Sequence, residues 1–315
     1  MNNQKKVDVI IPTYRPDGRL TEILKRLGRQ SYPIHRIYVI NTKSDRFPDE
    51  IEQIPGVIVT HILPEEFDHG ATRDQGARMS DADIVVFMTQ DAVPADGKLI
   101  EELTRPLREM EMIGVSYARQ LPAKDCDYIE RYTRTFNYPE ESRIKGQEDI
   151  PEMGIKAFFC SDVCAAYSRK KYLEMGGFTK KTIFNEDMIM AAQMVMHGYY
   201  IAYTAEARVF HSHNYSGLQQ FHRNFDLAVS QADHPEIFAQ IRSESEGIRL
   251  VKQTVKHLVK TRKIHLIPVL VYKSGCKYLG YKLGQNYRKL PLWLVKYCSM
   301  SKTYWENRRK TGIFD

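Results

Sequence analysis

Asp83-Ile84-Val85-Val86-Phe87-Met88-Thr89-Gln90-Asp91-Ala92 is the stretch that decides the fold. Its apolar core makes a strand with no polar face, so both sides must be covered. A carboxylate, Asp91, waits at the carboxyl end. Three similar runs precede it: residues 7–13 (Val-Asp-Val-Ile-Ile-Pro-Thr), 36–41 and 56–62. Between the first two, Leu20, Ile23, Leu24 and Leu27 recur at helical spacing. Strands alternating with helices predict β-α-β units around a mainly parallel sheet, an α/β fold. Ligands of such sheets sit beyond the carboxyl ends of the strands. That singles out Thr13, Tyr14 and Arg15, then Asn41 to Ser44, then Gln90, Asp91 and Ala92.

Further along, residues 99–110 read as a helix broken near Pro106, and 113–118 as a strand. Residues 124–153 are polar and loop-rich, 158–167 are apolar, and Gly176-Gly177 marks a turn. The most legible helix follows. Asn185 is placed as its N-cap, with Glu186 and Asp187 in the first turn. Met188, Ala192, Val195 and Tyr199 share a face with Ile189 and Met196, and Gly198 sits at the C-cap position. Strand-like segments 200–204 and 207–213 come next, and from Leu218 the pattern is helical. The expected division is a catalytic domain at 1–217 and a helical, basic region at 218–315.

With 315 residues, 43% apolar and 27% charged, the chain has material for a large core, which excludes disorder and fibrous classes. Five cysteines, scattered, fit a reducing cytoplasm better than a disulfide framework. The net charge of +7 is unevenly spread. From Ile248 onward there are 16 Lys/Arg against 2 acids, a net of +14; the preceding 247 residues hold 30 basic and 37 acidic groups, a net of −7. Residues 1–6 are polar and 7–12 too short for a signal sequence, and no apolar run approaches a membrane span.

Asp91, at a strand's end, can hold a divalent cation on a diphosphate, or merely cap a turn. Asp187 is drawn toward ionisation by its helix terminus and away from it by Glu186, a balance that suits a general base as well as simple dipole capping. His211 and His213, two residues apart on a strand-like segment, point the same way as metal ligands or as surface histidines. Arg73, in a loop entering a helix, can face a phosphate. Cys160 and Cys164 lack partners at zinc-finger spacing and read as core. Dinucleotide, P-loop and esterase signatures are missing from the sequence.

In this order the motifs resemble the family 2, GT-A fold glycosyltransferases: Ile11-Pro12-Thr13-Tyr14-Arg15, Ile40-Asn41-Thr42-Lys43-Ser44, His69-Gly70-Ala71-Thr72-Arg73, Gln90-Asp91-Ala92, Cys160-Ser161-Asp162-Val163-Cys164-Ala165-Ala166-Tyr167, Gly176-Gly177-Phe178, Asn185-Glu186-Asp187 and His211-Ser212-His213. The likeness covers roughly residues 5–215, and its Gln-Asp-Ala and His-Ser-His variants are most similar to bacterial rhamnosyltransferases of cell-wall and O-antigen assembly. It implies a donor pocket lined by Pro12, Thr13, Tyr14, Arg15, Asn41, Lys43, Arg73, Gln90 and Asp91. It implies a Mn²⁺ or Mg²⁺ ion on Asp91, His211 and His213, with Asp162 on the acceptor side. Asp187 would be the general base of an inverting transfer and Glu186 its support. Gln90 replaces the family's first Asp, and Asn41-Thr42-Lys43 lacks the carboxylate common at the uracil of UDP-sugars. The second departure points to dTDP-rhamnose, with UDP- or GDP-sugars as the alternative.

The basic end mixes Lys and Arg with Tyr278, Tyr281, Tyr287, Trp293, Tyr297, Tyr304 and Trp305. That composition suits an anionic inner-membrane surface and a lipid-linked saccharide acceptor, placing the enzyme peripherally on the cytoplasmic face. A contact in a homo-oligomer is the other use of such a surface. The acidic body carries no nucleic-acid module, so nucleic acid is not an expected partner. A pyrophosphorylase would need a glycine-rich loop where Pro12-Thr13-Tyr14-Arg15-Pro16 stands, and a non-catalytic sugar-binding module would have no use for Asp187.

Overall fold

The computed structural model describes residues 4–239 and 244–310. They form two compact units. The first comprises Met1–Ala123, Tyr138–Lys180 and Glu186–His211; the second comprises Lys124–Asn137, Lys181–Asn185 and Ser212–Asp315.

The first unit is built on one sheet. Its strands are β1 (Val7–Tyr14), β2 (Arg36–Thr42), β3 (Val57–Ile62), β4 (Ile84–Met88), β5 (Val93–Pro94), β6 (Ile113–Leu121), β7 (Arg143–Lys145), β8 (Cys164–Ser168) and β9 (Tyr200–Phe210). The order across the sheet is β3-β2-β1-β4-β8-β6-β9-β5, with β7 added on β9. β1, β2, β3 and β4 pair in parallel, β8 runs antiparallel between β4 and β6, and the long β6–β9 ladder is parallel again. All five residues of β4 are buried, as a strand with apolar side chains on both faces requires. Leu20, Ile23, Leu24 and Leu27 of the helix Gly18–Leu27 fill the core on one face. The parallel register sets the carboxyl ends of β1 and β2 side by side, Thr13 opposite Asn41 and Tyr14 opposite Thr42.

Several local expectations change. The helix Leu99–Glu109 runs through Pro106 unbroken. Burial of Leu99, Ile100, Leu103 and Leu107 along one stripe offsets the hydrogen bond that proline cannot make. Segments 200–204 and 207–213 merge into β9, which shifts register against β6 between Ala118 and Arg119 and so absorbs the interruption as a bulge. β9 ends at Phe210, which leaves His211 and His213 beyond the strand. Met196 is 58% exposed and does not share the core face of the helix Glu186–Met196. The polar stretch 124–153 contains the helix Tyr128–Asn137 as well as β7.

The second unit is helical. Ser216 caps the helix Gly217–Asp233 through a capping box with Gln219. The helix Ile267–Gln285 lies so close to it that a Cβ at Gly280 would collide with the Phe221 carbonyl, and one at Gly284 with that of Phe225. Phe225, Val229, Tyr287, Val295, Cys298 and Trp305 form its core. Cys126, Cys160, Cys164, Cys276 and Cys298 are free thiols, with Cys160 and Cys164 buried as core residues. No described helix is long and apolar enough to cross a membrane.

Candidate active site

The carboxyl ends of β1, β2 and β4 carry the first group of residues. Thr13 Oγ1 donates to Asn41 Oδ1 at 3.0 Å, and Asn41 Nδ2 meets His61 Nδ1 at 2.9 Å. Both Thr13 and Asn41 are buried, so this chain ties the tips of three parallel strands together. Tyr14 and Arg15 emerge into solvent, and Arg15 adopts a left-handed φ of 44° with its guanidinium 3.6 Å from Asp45. Lys43 is exposed and Pro12 half-buried. Gln90 shows why an amide stands where a carboxylate was expected. Its Oε1 accepts from the Tyr14 N–H at 2.8 Å while its Nε2 donates to the Tyr14 carbonyl at 3.0 Å. A carboxylate accepts only, and could not make the second bond.

Asp91 follows. Thr89 Oγ1 donates to its Oδ1 at 2.7 Å, and Arg19 approaches its Oδ2 at 3.8 Å. His211 Nε2 lies 3.6 Å from Asp91 Oδ1. The other ring nitrogen, Nδ1, is 3.0 Å from Gln120 Oε1, and Gln120 Nε2 donates to Ser161 Oγ at 3.0 Å. The Gln120 contact at Nδ1 turns Nε2 toward the Asp91 carboxylate, the arrangement of a histidine metal ligand and its orienting partner. His213, two residues on, belongs to the second unit, where its ring stacks on Tyr215.

A second cluster gathers Arg73, Asp162, Glu186 and Asp187. Arg73 is not in a loop but on the helix His69–Met79, capped by Asp68, and is buried. Its Nη1 is 3.1 Å from Glu186 and its Nε 3.7 Å from Asp162. Asp162 Oδ1 accepts from Tyr167 Oη at 2.8 Å, and the Asp162 N–H donates to Asp187 Oδ2 at 3.1 Å. The Met188 N–H donates to Asp187 Oδ1 at 2.7 Å. Asn185, at φ 65°, is left-handed rather than extended, and its amide donates to the Leu227 carbonyl.

Three carboxylates and one guanidinium share this enclosed space, and their protonation follows from that. Burial pushes Asp162 well above the usual carboxylate range, with Asp187 adding to the rise. Burial and then Glu186 raise Asp187 to about 6, although the two N–H donors and Arg73 pull the other way. Burial opposes the charge on Arg73, but Glu186, Asp162 and Asp187 more than offset it and hold its pKa above the ordinary value. Such a half-buried carboxylate, ionised at neutral pH yet able to take a proton, is suited to general-base work.

The sequence reading did not single out Gln120, Arg19 or Lys145. Lys145, buried and lowered to about 7 chiefly by burial, donates to the carbonyls of Lys156 and Phe159 at 2.9 and 2.7 Å. It thereby anchors the segment leading into Cys160-Ser161-Asp162. A lysine within the three-residue strand β7 carries no local signal of that role.

Residues 8–176 match Glycosyl transferase family 2. The chain is 37% identical over 305 residues to the O-antigen chain rhamnosyltransferase RfbN of Salmonella typhimurium, covering 96% of each chain. It is 38% identical over 305 residues to the O-antigen chain rhamnosyltransferase WbaN of Salmonella anatum, covering 95% of each. Among solved structures, a mannosyltransferase from Pyrobaculum calidifontis, in complex with GDP-Man and Mn²⁺, matches with a TM-score of 0.57 and 15% identity, over 100% of this chain and 88% of that one. TarS residues 1–349 of S. aureus, in complex with UDP-GlcNAc, matches with a TM-score of 0.50 and 14% identity, over 90% and 92%.

Proposed function

Since the chain belongs to glycosyl transferase family 2 and is a glycosyltransferase of the GT-A fold, we propose that it transfers L-rhamnose from dTDP-rhamnose to a hydroxyl of a lipid-linked saccharide, with inversion at the anomeric carbon. The rhamnosyl assignment is supported by the two relatives named as O-antigen chain rhamnosyltransferases. The observation that carries the mechanism is Asp187, its carboxylate fixed by two N–H donors and raised to about 6. In this reading Asp187 takes the proton of the acceptor hydroxyl as its oxygen attacks the anomeric carbon from the face opposite the departing dTDP. Glu186, paired with Arg73, keeps the local potential negative and so keeps Asp187 basic. Asp162 borders the acceptor side and passes its N–H to Asp187.

Thr13, Tyr14, Arg15, Asn41 and Lys43, with Pro12 beneath and Gln90 bracing Tyr14, would line the donor nucleotide; the buried Arg73 would supply positive charge toward the sugar diphosphate. Asn41-Thr42-Lys43 offers no carboxylate for the ring N–H that uracil and thymine share, so the thymine base follows from the rhamnosyl assignment and not from this loop. The donor set of Asp91 and His211, 3.6 Å apart with the histidine oriented by Gln120, fits a divalent cation such as Mn²⁺ or Mg²⁺. A cation held there would neutralise the departing diphosphate. The neighbour holding GDP-Man and Mn²⁺ favours a second reading in which the donor carries another base.

We take residues 1–217 as the catalytic domain and 218–315 as the region that holds the enzyme to the cytoplasmic face of the inner membrane, where a lipid-linked acceptor resides. The test is a donor panel of dTDP-rhamnose, UDP-glucose, UDP-galactose and GDP-mannose with a lipid-linked acceptor, with and without EDTA. Product from dTDP-rhamnose alone, lost on chelation, is the expected result. Equal turnover of a UDP- or GDP-sugar overturns the donor, and activity surviving EDTA overturns the cation.

A further inference from the structure

We propose that the helix Leu292–Cys298 is the membrane anchor of the second unit, lying in the interface of an anionic bilayer with Trp293, Tyr297 and Met300 as the inserted side chains. This rests on the peripheral-membrane reading above and names the surface responsible. Trp293 is 71% exposed, Tyr297 66% and Met300 50%. Trp293 and Tyr297 recur at i and i+4 and therefore share one side of the helix, and Met300 follows just beyond its C-cap residue Ser299. The opposite side is committed to the core, with Val295 and Cys298 packed among Phe225, Val229 and Tyr287. The chain has two tryptophans; Trp305 is wholly buried in that same core, whereas Trp293 is the most exposed large apolar side chain among the described residues.

The chemistry around the stripe selects the occupant. Lys289 and Lys302 are exposed on either flank and Lys296 is half-buried between them, within a segment whose net charge is +14. A second copy of this chain would bring the same cations face to face across a twofold axis, so like charges would oppose each other. Single-stranded nucleic acid would use the aromatic rings. It has no use for the aliphatic groups that the preceding helix Ile267–Gln285 also leaves exposed, Val271 and Leu279 beside Tyr272 and Tyr278. Indole and phenol rings at the headgroup level, aliphatic groups below and lysines toward lipid phosphates describe an interfacial helix.

The experiment uses the full chain, with phosphatidylcholine vesicles containing or lacking phosphatidylglycerol, and reads co-sedimentation together with tryptophan emission. The expected result is binding to the anionic vesicles, a blue shift quenched by brominated acyl chains, and no shift in Trp293→Phe, where only buried Trp305 reports. The double variant Trp293→Ala/Tyr297→Ala should partition roughly tenfold more weakly or worse, with unchanged melting temperature and unchanged turnover of a soluble acceptor. Vesicle binding with unshifted emission and an equally well bound double variant overturns this surface and leaves the membrane reading standing. No binding to anionic vesicles overturns both. A concentration-dependent blue shift without lipid, or one produced by an oligonucleotide and not by vesicles, assigns the surface to a second copy or to nucleic acid and overturns the proposal.

Discussion

Replacing Arg73 by glutamine would leave Asp162, Glu186 and Asp187 enclosed together without their shared cation. Arg73 stands 3.1 Å from Glu186 and 3.7 Å from Asp162, with both partners buried. At an effective dielectric near 20, a charge pair at such separations is worth about 4 kcal/mol. Removing one member of a buried pair typically costs about 3–5 kcal/mol, because the remaining charge is uncompensated. At about 2–4 °C per kcal/mol, the melting temperature should fall by about 6–20 °C at neutral pH. The pH dependence carries the sharper test. In the variant the folded-state pKa values of Asp162 and Asp187 are pushed further above their unfolded values, since burial and mutual repulsion then act against only the N–H and Tyr167 hydroxyl donors. Their contribution is therefore intact below the unfolded value and is lost as pH rises through the raised folded one. The gap between wild type and Arg73→Gln should be wide near about pH 8 and narrow near about pH 5. Differential scanning fluorimetry across that range measures it. A gap that is absent, or equal at both ends, refutes the charge account of the cluster.

Other consequences are equally direct. The kcat/KM of wild type should rise with pH through about 6 and level off above it, because Asp187 is active as a base only after losing its proton; a profile flat between about pH 5 and 8 contradicts the assignment. Gln120→Ala removes the partner that orients His211 and should weaken Mn²⁺ binding, followed by titration calorimetry with donor present, by about 10–100-fold. Gln90→Ala loses two hydrogen bonds to the Tyr14 backbone and should cost about 1–3 kcal/mol in urea unfolding, with a raised donor KM.

The strands were legible because each is an uninterrupted apolar run of length suited to a sheet covered on both faces, and β1 to β4 stand where residues 7–13, 36–41, 56–62 and 83–89 place them. Asp91 could be picked out because the end of a parallel strand is a position with meaning. What brings Arg73, Asp162 and Glu186 together is tertiary: they come from a helix after β3, the approach to β8 and the helix before β9. No local pattern encodes that meeting. The raised pKa of Asp187 was anticipated from Glu186, but its largest cause is burial, which spacing alone does not reveal. Gln120 and Lys145 escaped for the same reason, since Gln120 acts through long-range hydrogen bonds to His211 and Ser161 and Lys145 through carbonyl contacts. The helix Tyr128–Asn137 was hidden by its own composition: only Ile129 and aromatics at i, i+4 and i+8 interrupt a polar run.

The most direct test of the central claim is transfer by Asp187→Asn. Asparagine keeps the size of the side chain but accepts no proton, and general-base groups contribute about 10²–10⁴-fold to rate. Radiolabelled rhamnose passed from dTDP-rhamnose to the lipid-linked acceptor should fall by that factor, while donor affinity stays at the wild-type value. Transfer at the wild-type rate would contradict the account.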